Sequence, residues 1–256
     1  MTTKRYELSD EQWAQIAPYF PKYRTGRPPK NNRVMFNAIL WMARSGAPWR
    51  DLPKEYGSWK TVYSHFCLWR DSGLLESLFI QLNQQTDYEN LSIDSTVISA
   101  HQHSAGAKKR GPMGLTYQQI GKNVGGYTSK IHTIVDGLGN PLYFKLSGGQ
   151  VADAKLAIDI LKHGPLENSN VIGDRAYGAE TIRFYIRARK GTYTIPPKKN
   201  VLVPWDVDWW VYKERHLVEC FFNKLKQFRH IATRYDKLAV SYLAFVHLAA
   251  IFILTK

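Results

Sequence analysis

Cysteine is almost missing from this chain. Two in 256 residues, Cys67 and Cys220, exclude a disulfide framework and a cysteine-built zinc site. Both fall in apolar helical patterns and read as small core residues of a protein in a reducing compartment. The first ten residues, MTTKRYELSD, hold no apolar run, so no signal peptide is expected there. Long apolar runs are missing too, with one exception, Leu238 to Leu254. Ser241, Tyr242 and His247 interrupt that run and no second span exists. It reads as a buried helix closing a core, and no membrane partner is expected. Acid is scarce beside base: 21 Asp and Glu stand against 35 Lys and Arg, a net charge of +14. A chain this basic is expected to meet a polyanion, nucleic acid first, although charge alone also fits a merely soluble basic protein. No internal repeat or low-complexity tract is visible.

The length suits one large domain plus a small one. Residues 8–85 look all-helical. Ser9 or Asp10 can cap a first helix, in which Trp13, Ile16, Ala17 and Phe20 follow at helical spacing. A polar, Gly/Pro-rich loop precedes a second helix, Val34 to Arg44, apolar nearly all round and therefore central. A short helical turn at Leu52 to Tyr56 stops at Gly57. Ser58 then opens SWKTVYSHFCLWRDSG, and Leu74 to Leu82 makes one more helix. Short helix, glycine turn and longer helix fit a helix-turn-helix. On that reading Ser58, Lys60, Thr61 and Ser64 face DNA, while Trp59, Val62, Tyr63, Phe66 and Trp69 face inward. A plain helical bundle gives the same pattern. Arg27, held extended in Gly26-Arg27-Pro28-Pro29-Lys30, resembles a minor-groove arm; a solvated loop fits as well.

After the polar QQTDYEN the composition changes. Leu91 to Ile93 reads as a strand ending at Asp94. A basic, glycine-rich insert follows, in which Lys108, Lys109 and Arg110 suit DNA phosphates. His101 and His103 have His-x-His spacing but no further ligands nearby. Tyr127 to Val135 and Pro141 to Leu146 form a hairpin around Asp136-Gly137-Leu138-Gly139-Asn140. Helices at Asp153–Lys162 and Ala179–Arg189 alternate with strands at Asn170–Gly173 and Tyr193–Ile195. The expected fold is α/β, a mixed sheet with flanking helices, behind a small all-helical domain. The domains are drawn at 1–85 and 86–256.

YKERHLVECFFNKLK reads as one helix. Tyr212, Arg215, Glu219 and Lys226 fall on one side of it, and Leu217, Val218, Phe221, Leu225 and Phe228 broadly on the other. A carboxylate among cations on a rigid element suits phosphate chemistry, although ordinary i,i+4 ion pairs look alike. Asp94 and Asp174 each follow a short hydrophobic strand, in LSIDST and NVIGDRAY, where α/β sheets place reactive groups. Taken singly, each also reads as a cap or turn residue. With Glu219 they would give three carboxylates, a donor set for a hard cation, Mg²⁺ or Mn²⁺. Two such ions relieve the repulsion of clustered carboxylates and can serve phosphodiester chemistry. Asp136 and Asp153 are rival carboxylates, the first suited to the hairpin turn, the second to a helix start. His132 reads as structural. Trp205, Trp209 and Trp210 suit a hydrophobic clamp at a domain edge, or a platform for an extruded base.

Together these motifs resemble bacterial insertion-sequence transposases of the DDE type, in the group named after insertion sequence five within the insertion-sequence-four superfamily. Tyr212, Arg215, Glu219 and Lys226 carry the resemblance, with IDST at Asp94, AHQHSAGAKK, GDRAY at Asp174, KQFRHIATRYDK and the N-terminal LSDEQW…GRPP…ILWMARSGAPWRDLP. It spans nearly the whole chain. It implies a ribonuclease-H-like catalytic domain in which Asp94, Asp174 and Glu219 bind two divalent ions. Tyr212, Arg215 and Lys226 would hold DNA near the scissile phosphate, and Arg175 stands where Lys is also common. The implied partners are double-stranded DNA, as element ends and target, and a second copy bridging two ends. The implied setting is the cytoplasm, on the nucleoid. A DNA-binding regulator derived from such a protein would be expected to show a broken carboxylate set, and this set is intact.

Overall fold

The computed structural model describes residues 6–21, 31–83, 86–106 and 118–256. Arg27, Lys108, Lys109 and Arg110 lie outside the described residues. The chain divides into two compact units: residues up to 84 with 224–256, and residues 85–223.

The first unit opens with α1 (Asp10–Ile16). Ser9 and Gln12 cap it reciprocally: Ser9 Oγ accepts from the Gln12 N–H at 3.2 Å, and Gln12 Oε1 from the Ser9 N–H at 3.0 Å. This satisfies two of the donors a helix start leaves bare. Helix α2 (Asn32–Ser45) begins at an Asn31 cap and stops at Gly46, whose φ of 67° is left-handed. Met35 through Leu40 are all buried in it, as a helix apolar on every side requires. Two 3-10 turns, Trp49–Asp51 and Lys54–Tyr56, lead to α3 (Trp59–Asp71) and α4 (Leu74–Leu82). The element before Gly57 is thus a single tight turn. Val62, Phe66 and Trp69 face inward as expected, while Tyr63 stays 41% exposed with its ring edge-on to Trp49. Lys60 and Ser64 are exposed, and Thr61 is half-buried.

The second unit is built on a sheet. Strand β1 (Asn90–Ala100) runs six residues past Asp94, where the sequence reading stopped it. The reason is pairing: β3 (Gly126–Val135) lies antiparallel to it from Ser92↔Val135 to Ser99↔Thr128. A short β2 (Gly121–Asn123) and β4 (Pro141–Gly148) share the far edge of β3. On the other side β5 (Asn170–Ile172) and β6 (Thr192–Thr194) add in parallel, giving the order β2-β3-β1-β5-β6. Helix α5 (Ala154–Leu161) follows β4 and α6 (Glu180–Ala188) follows β5. Ala157, Ile160, Leu161, Ile182 and Ile186 from these helices bury Leu91, Ile93 and Ile134 on one sheet face. The hairpin turn is fixed by Asp136, which is 1% exposed. Its Oδ1 accepts from the N–H groups of Leu138 at 3.0 Å and Asn140 at 2.7 Å. Gly139 takes φ 81° there, a value that glycine adopts without steric cost.

The expected single helix over 212–226 is broken. Helix α7 (Trp209–Tyr212) gives way to a 3-10 turn at Lys213–Arg215, and α8 (His216–Lys226) follows. His216 Nδ1 lies 2.8 Å from the Lys213 carbonyl, a local bond suited to the tight turn. Val218, Phe221 and Leu225 of α8 are buried as the periodicity requires. Cys220 is exposed, not a core residue, because its position turns away from that face; Cys67 is half-buried.

Residues 224–256 group with the helical unit, whereas the sequence reading gave 86–256 to one domain. Helix α9 (Arg229–Ala232) packs on α2, and α10 (Ala239–Leu254) on α2, α3 and α4. The physical cause is that α10 is apolar all round and needs cover on every side. Phe245 stacks on Phe66 with centroids 4.5 Å apart and meets the His230 ring at 4.1 Å. No helix among the described residues is long and apolar enough to cross a membrane.

Candidate active site

The site is assembled by sheet register. Ser92 pairs with Ile172 across the parallel β1–β5 ladder; Asp94 lies two residues further along β1, and Asp174 two residues past Ile172, just beyond the end of β5. Antiparallel pairing sets Asp94 opposite Thr133, and Thr133 opposite Phe144. Residues directly across a ladder share a face. Phe144 stacks on Phe221 of α8 at 5.8 Å, which seats that helix over the face carrying Asp94. Glu219 lies two residues before Phe221, and Arg215 one turn further back.

Arg215 joins two of the three carboxylates. Its Nη1 donates to Asp94 Oδ2 at 3.0 Å and its Nη2 to Glu219 Oε1. Asp94 Oδ1 also accepts the Ser95 backbone N–H at 2.8 Å. Asp174 caps the 3-10 turn Arg175–Tyr177, its Oδ1 accepting the Ala176 N–H at 2.8 Å. The bland reading of Asp174 as a cap therefore holds for one oxygen, and among the described residues Oδ2 makes no hydrogen bond. Burial pushes the Asp94 carboxyl up to about 6, and the charges of Asp174 and Asp153 add to the rise. The Ser95 N–H and Arg215 pull the other way without cancelling it. Burial and like charge of this kind are what a nearby cation relieves.

The remaining predicted residues have plain locations. Tyr212 is half-buried at the end of α7, its ring edge-on to Trp209 at 5.6 Å. Arg175 is exposed beside Asp174, and Lys226 is exposed at the end of α8. Trp205 is a clamp: its Nε1 donates to the Ile195 carbonyl at 2.7 Å and Arg183 stacks on its ring at 3.7 Å. Trp209 and Trp210 stay exposed, 58% and 77%. His101 and His103 face each other edge-on, with centroids 4.7 Å apart. Among the described residues no three His, Cys, Asp or Glu side chains converge at metal-ligand range.

The sequence reading gave Asp153 only as a rival carboxylate suited to a helix start, and it passed over Tyr177. Asp153 precedes α5, yet its side chain does not cap that helix. Its Oδ1 accepts from Ser95 Oγ at 2.7 Å and Lys130 Nζ at 2.9 Å. These partners come from β1 and β3, and no local pattern around Asp153 announces them. His132, beside them, is fully buried and bonds Ser147 Oγ through Nε2 at 2.7 Å. Its structural assignment fits that burial, which pushes its pKa down to about 4. Tyr177 is the second residue. It is completely buried, and among the described residues its hydroxyl has no hydrogen-bond partner. Its place three residues after Asp174 was the available signal.

Comparison with known proteins bears on the same segments. A family model described as "Putative transposase of IS4/5 family" matches residues 8–79, and one described as "Transposase DDE domain" matches residues 85–203. The "Putative transposase for insertion sequence element IS6501" of Brucella ovis is 41% identical over 126 residues, covering 48% of this chain and 94% of the relative. "Uncharacterized protein y4sN" of Sinorhizobium fredii is 42% identical over 104 residues, 40% of this chain and 83% of the relative. Among solved structures, the piggyBac transposase synaptic complex with hairpin DNA matches with a TM-score of 0.41 at 15% identity. That match covers 75% of this chain and 48% of the other, so the chain spans about half of it. The helical segment, the strand-borne aspartates and the near-complete cover of a relative at 41% identity lead to one assignment: this chain belongs to the DDE-type insertion-sequence transposases of the IS4/5 family.

Proposed function

We propose that Asp94, Asp174 and Glu219 are the catalytic carboxylates of this transposase and together hold two divalent ions, Mg²⁺ with Mn²⁺ able to substitute. The family's activity is metal-dependent phosphoryl transfer on DNA. The observation that carries the residue assignment is the pair Asp94, within β1, and Asp174, just past the end of β5, with Arg215 tying Asp94 to Glu219. Carboxylate oxygens alone suit a hard cation, and Asp94 is raised by burial and by like charge that Arg215 does not offset; the three carboxylates do not converge at ligand range in this structure, where Arg215 lies between Asp94 and Glu219. When bound, such ions activate the attacking oxygen and neutralise the leaving oxygen of a phosphodiester.

The chain's own residues do the rest. Arg215 is placed to exchange its carboxylate partners for a DNA phosphate, since a guanidinium binds either in the same forked geometry. Tyr212, Arg175 and Lys226 are assigned to the backbone beside the scissile phosphate, and Lys60, Thr61, Arg27, Lys108, Lys109 and Arg110 to DNA further out. Water cuts at the element's end to free a 3′-hydroxyl, which then attacks the target in line. Positioning supplies most of the rate, with no covalent protein–DNA link. A homodimer bridges two ends on the nucleoid, and the helical domain reads the terminal repeat.

The test is cleavage of a labelled duplex carrying the gene's own flanking DNA, with Mg²⁺ or Mn²⁺, by wild type beside Asp94→Asn. Metal-dependent cutting at a flanking inverted repeat by wild type alone is the expected result. Equal cutting by both proteins would sink the assignment of Asp94.

A further inference from the structure

The segment KQFRHIATRYDK, residues 226–237, has only its first residue assigned in the reaction above. It divides into a buried half and an exposed half. His230 Nε2 meets Asp236 Oδ2 at 2.8 Å, Arg234 Nε donates to the Asp236 carbonyl at 3.1 Å, and the Tyr242 hydroxyl donates to the Ile231 carbonyl at 2.8 Å. His230, Arg234 and Tyr242 are all buried. These bonds fix the backbone of α9 and the turn that follows it. Arg229, Tyr235 and Lys237 stand exposed on that frame.

The exposed half borders a pocket of about 280 Å³, lined by Ser45, Gly46, Arg229, Ala232, Thr233 and Tyr235. All six belong to the helical unit. Gly46 lets the two walls meet, since a Cβ there would lie 2.9 Å from Arg229 Cβ. The lining offers a guanidinium, two aliphatic hydroxyls and a phenol, and it holds no carboxylate. Ser45 Oγ accepts the Ala47 N–H at 3.2 Å, which leaves its proton to donate. Among the described residues the Arg229 guanidinium has no carboxylate partner. A guanidinium beside hydroxyl donors, with no anion to hold, suits a phosphate.

The pocket lies beside the exposed face of α3. Trp49, three residues past Gly46, is edge-on to Tyr63 at 5.1 Å. Trp49 also meets Phe245 at 6.1 Å, and Phe245 meets the His230 ring at 4.1 Å. One aromatic chain thus ties α3 to the segment that carries Arg229. Lys60, Tyr63 and Ser64 share the exposed face of α3 at i, i+3 and i+4 spacing.

We propose that the pocket at Arg229 binds a backbone phosphate of duplex DNA and anchors the helical unit, so that α3 meets the bases in a fixed register. The inference rests on the reading that this unit binds the element's end, and it adds a contact outside α3. Phosphate contacts position a protein on the duplex, whereas base contacts specify. An arginine near the C-terminal end of α2 also suits the helix dipole. That role would show in stability and not in the salt dependence of binding.

The experiment is fluorescence anisotropy of the full chain, metal-free, over a salt series. Two labelled duplexes are used, one carrying the gene's flanking inverted repeat and one unrelated. Arg229→Gln should weaken binding to both by about 10-fold, the scale of one charged hydrogen bond. It should also reduce the slope of log affinity against log salt by about one. Arg229→Lys should restore the slope but only part of the affinity, because an ammonium keeps the charge and lacks the fork. Wild-type affinity and slope in Arg229→Gln overturn the proposal. So does weaker binding with an unchanged slope, or a loss confined to the repeat, which would place Arg229 in the fold or at a base. Lys60→Ala separates the two claims. Binding weakened in Lys60→Ala but unaltered in Arg229→Gln removes only the phosphate anchor. Binding unaltered in both removes the reading of the helical unit and this inference with it.

Discussion

The two units bury charge in opposite ways. In the helical unit several buried or half-buried polar side chains are paired. His230 Nε2 meets Asp236 Oδ2 at 2.8 Å, Arg234 Nε donates to the Asp236 carbonyl at 3.1 Å, and Arg70 donates to Ser241 Oγ at 2.8 Å. Unlike partners meet, and the aromatic core closes over them. In the sheet unit like charges are crowded instead. Asp94 is half-buried within electrostatic reach of Asp174 and Asp153. Such an arrangement opposes folding, so its persistence points to chemistry. Burial of charge alone therefore does not mark the site. The mark is a half-buried carboxylate among like charges that its one cation partner does not offset.

The sharpest way to break this contrast is to remove the three carboxylates. Asp94→Asn, Asp174→Asn and Glu219→Gln should each lower strand cleavage by roughly 10³-fold or more, the scale seen when one member of a catalytic unit is lost. DNA binding in a mobility-shift assay should survive. Binding lost together with cleavage would instead assign these residues to structure.

The helical unit should answer to packing. Phe245 is fully buried between Phe66 and His230. Phe245→Ala should cost about 3–5 kcal/mol in denaturant unfolding, the usual penalty for such a cavity. A loss under about 1 kcal/mol would mean that the site collapses to fill it.

Each unit also holds one histidine that burial keeps neutral, His132 in the sheet and His247 among the helices, both pushed down to about 4. Their folded pKa lies below the unfolded value near 6.5, so the unfolded chain takes up protons first. The stability they contribute is complete above about pH 6.5 and is lost as pH falls toward 4. Asp94, raised to about 6, acts in reverse: its contribution is present below about pH 3.9 and fades as pH rises through 6. His132→Asn and His247→Asn should each flatten the acid limb of a stability–pH curve by up to about 1.4 kcal/mol per pH unit. An unchanged limb in either variant would show that its imidazole is charged in the fold.

The smallest effect belongs to the exposed cation. Lys226→Ala should weaken duplex binding and reduce the slope of log affinity against log salt by about one. An unaltered slope would remove the phosphate contact assigned to it.

Much of this was legible in the chain itself. The strands around Asp94 and Asp174, the hairpin at Asp136 and the apolar face of Val218, Phe221 and Leu225 all follow from period and turn chemistry, which act within a few residues. The i,i+4 spacing of Arg215 and Glu219 carried through the break at Lys213–Arg215, because a 3-10 turn shifts a side chain by less than one helical turn. Other features were decided only in three dimensions. Asp153 looked like a helix start until β1 and β3 supplied Ser95 and Lys130 as its donors. Strand β1 outran Asp94 because β3 offered it a full ladder. Residues 224–256 joined the helical unit because an all-apolar helix needs cover that no neighbour in sequence provides. Local pattern sets which face of an element is apolar, whereas register and packing choose what that face meets.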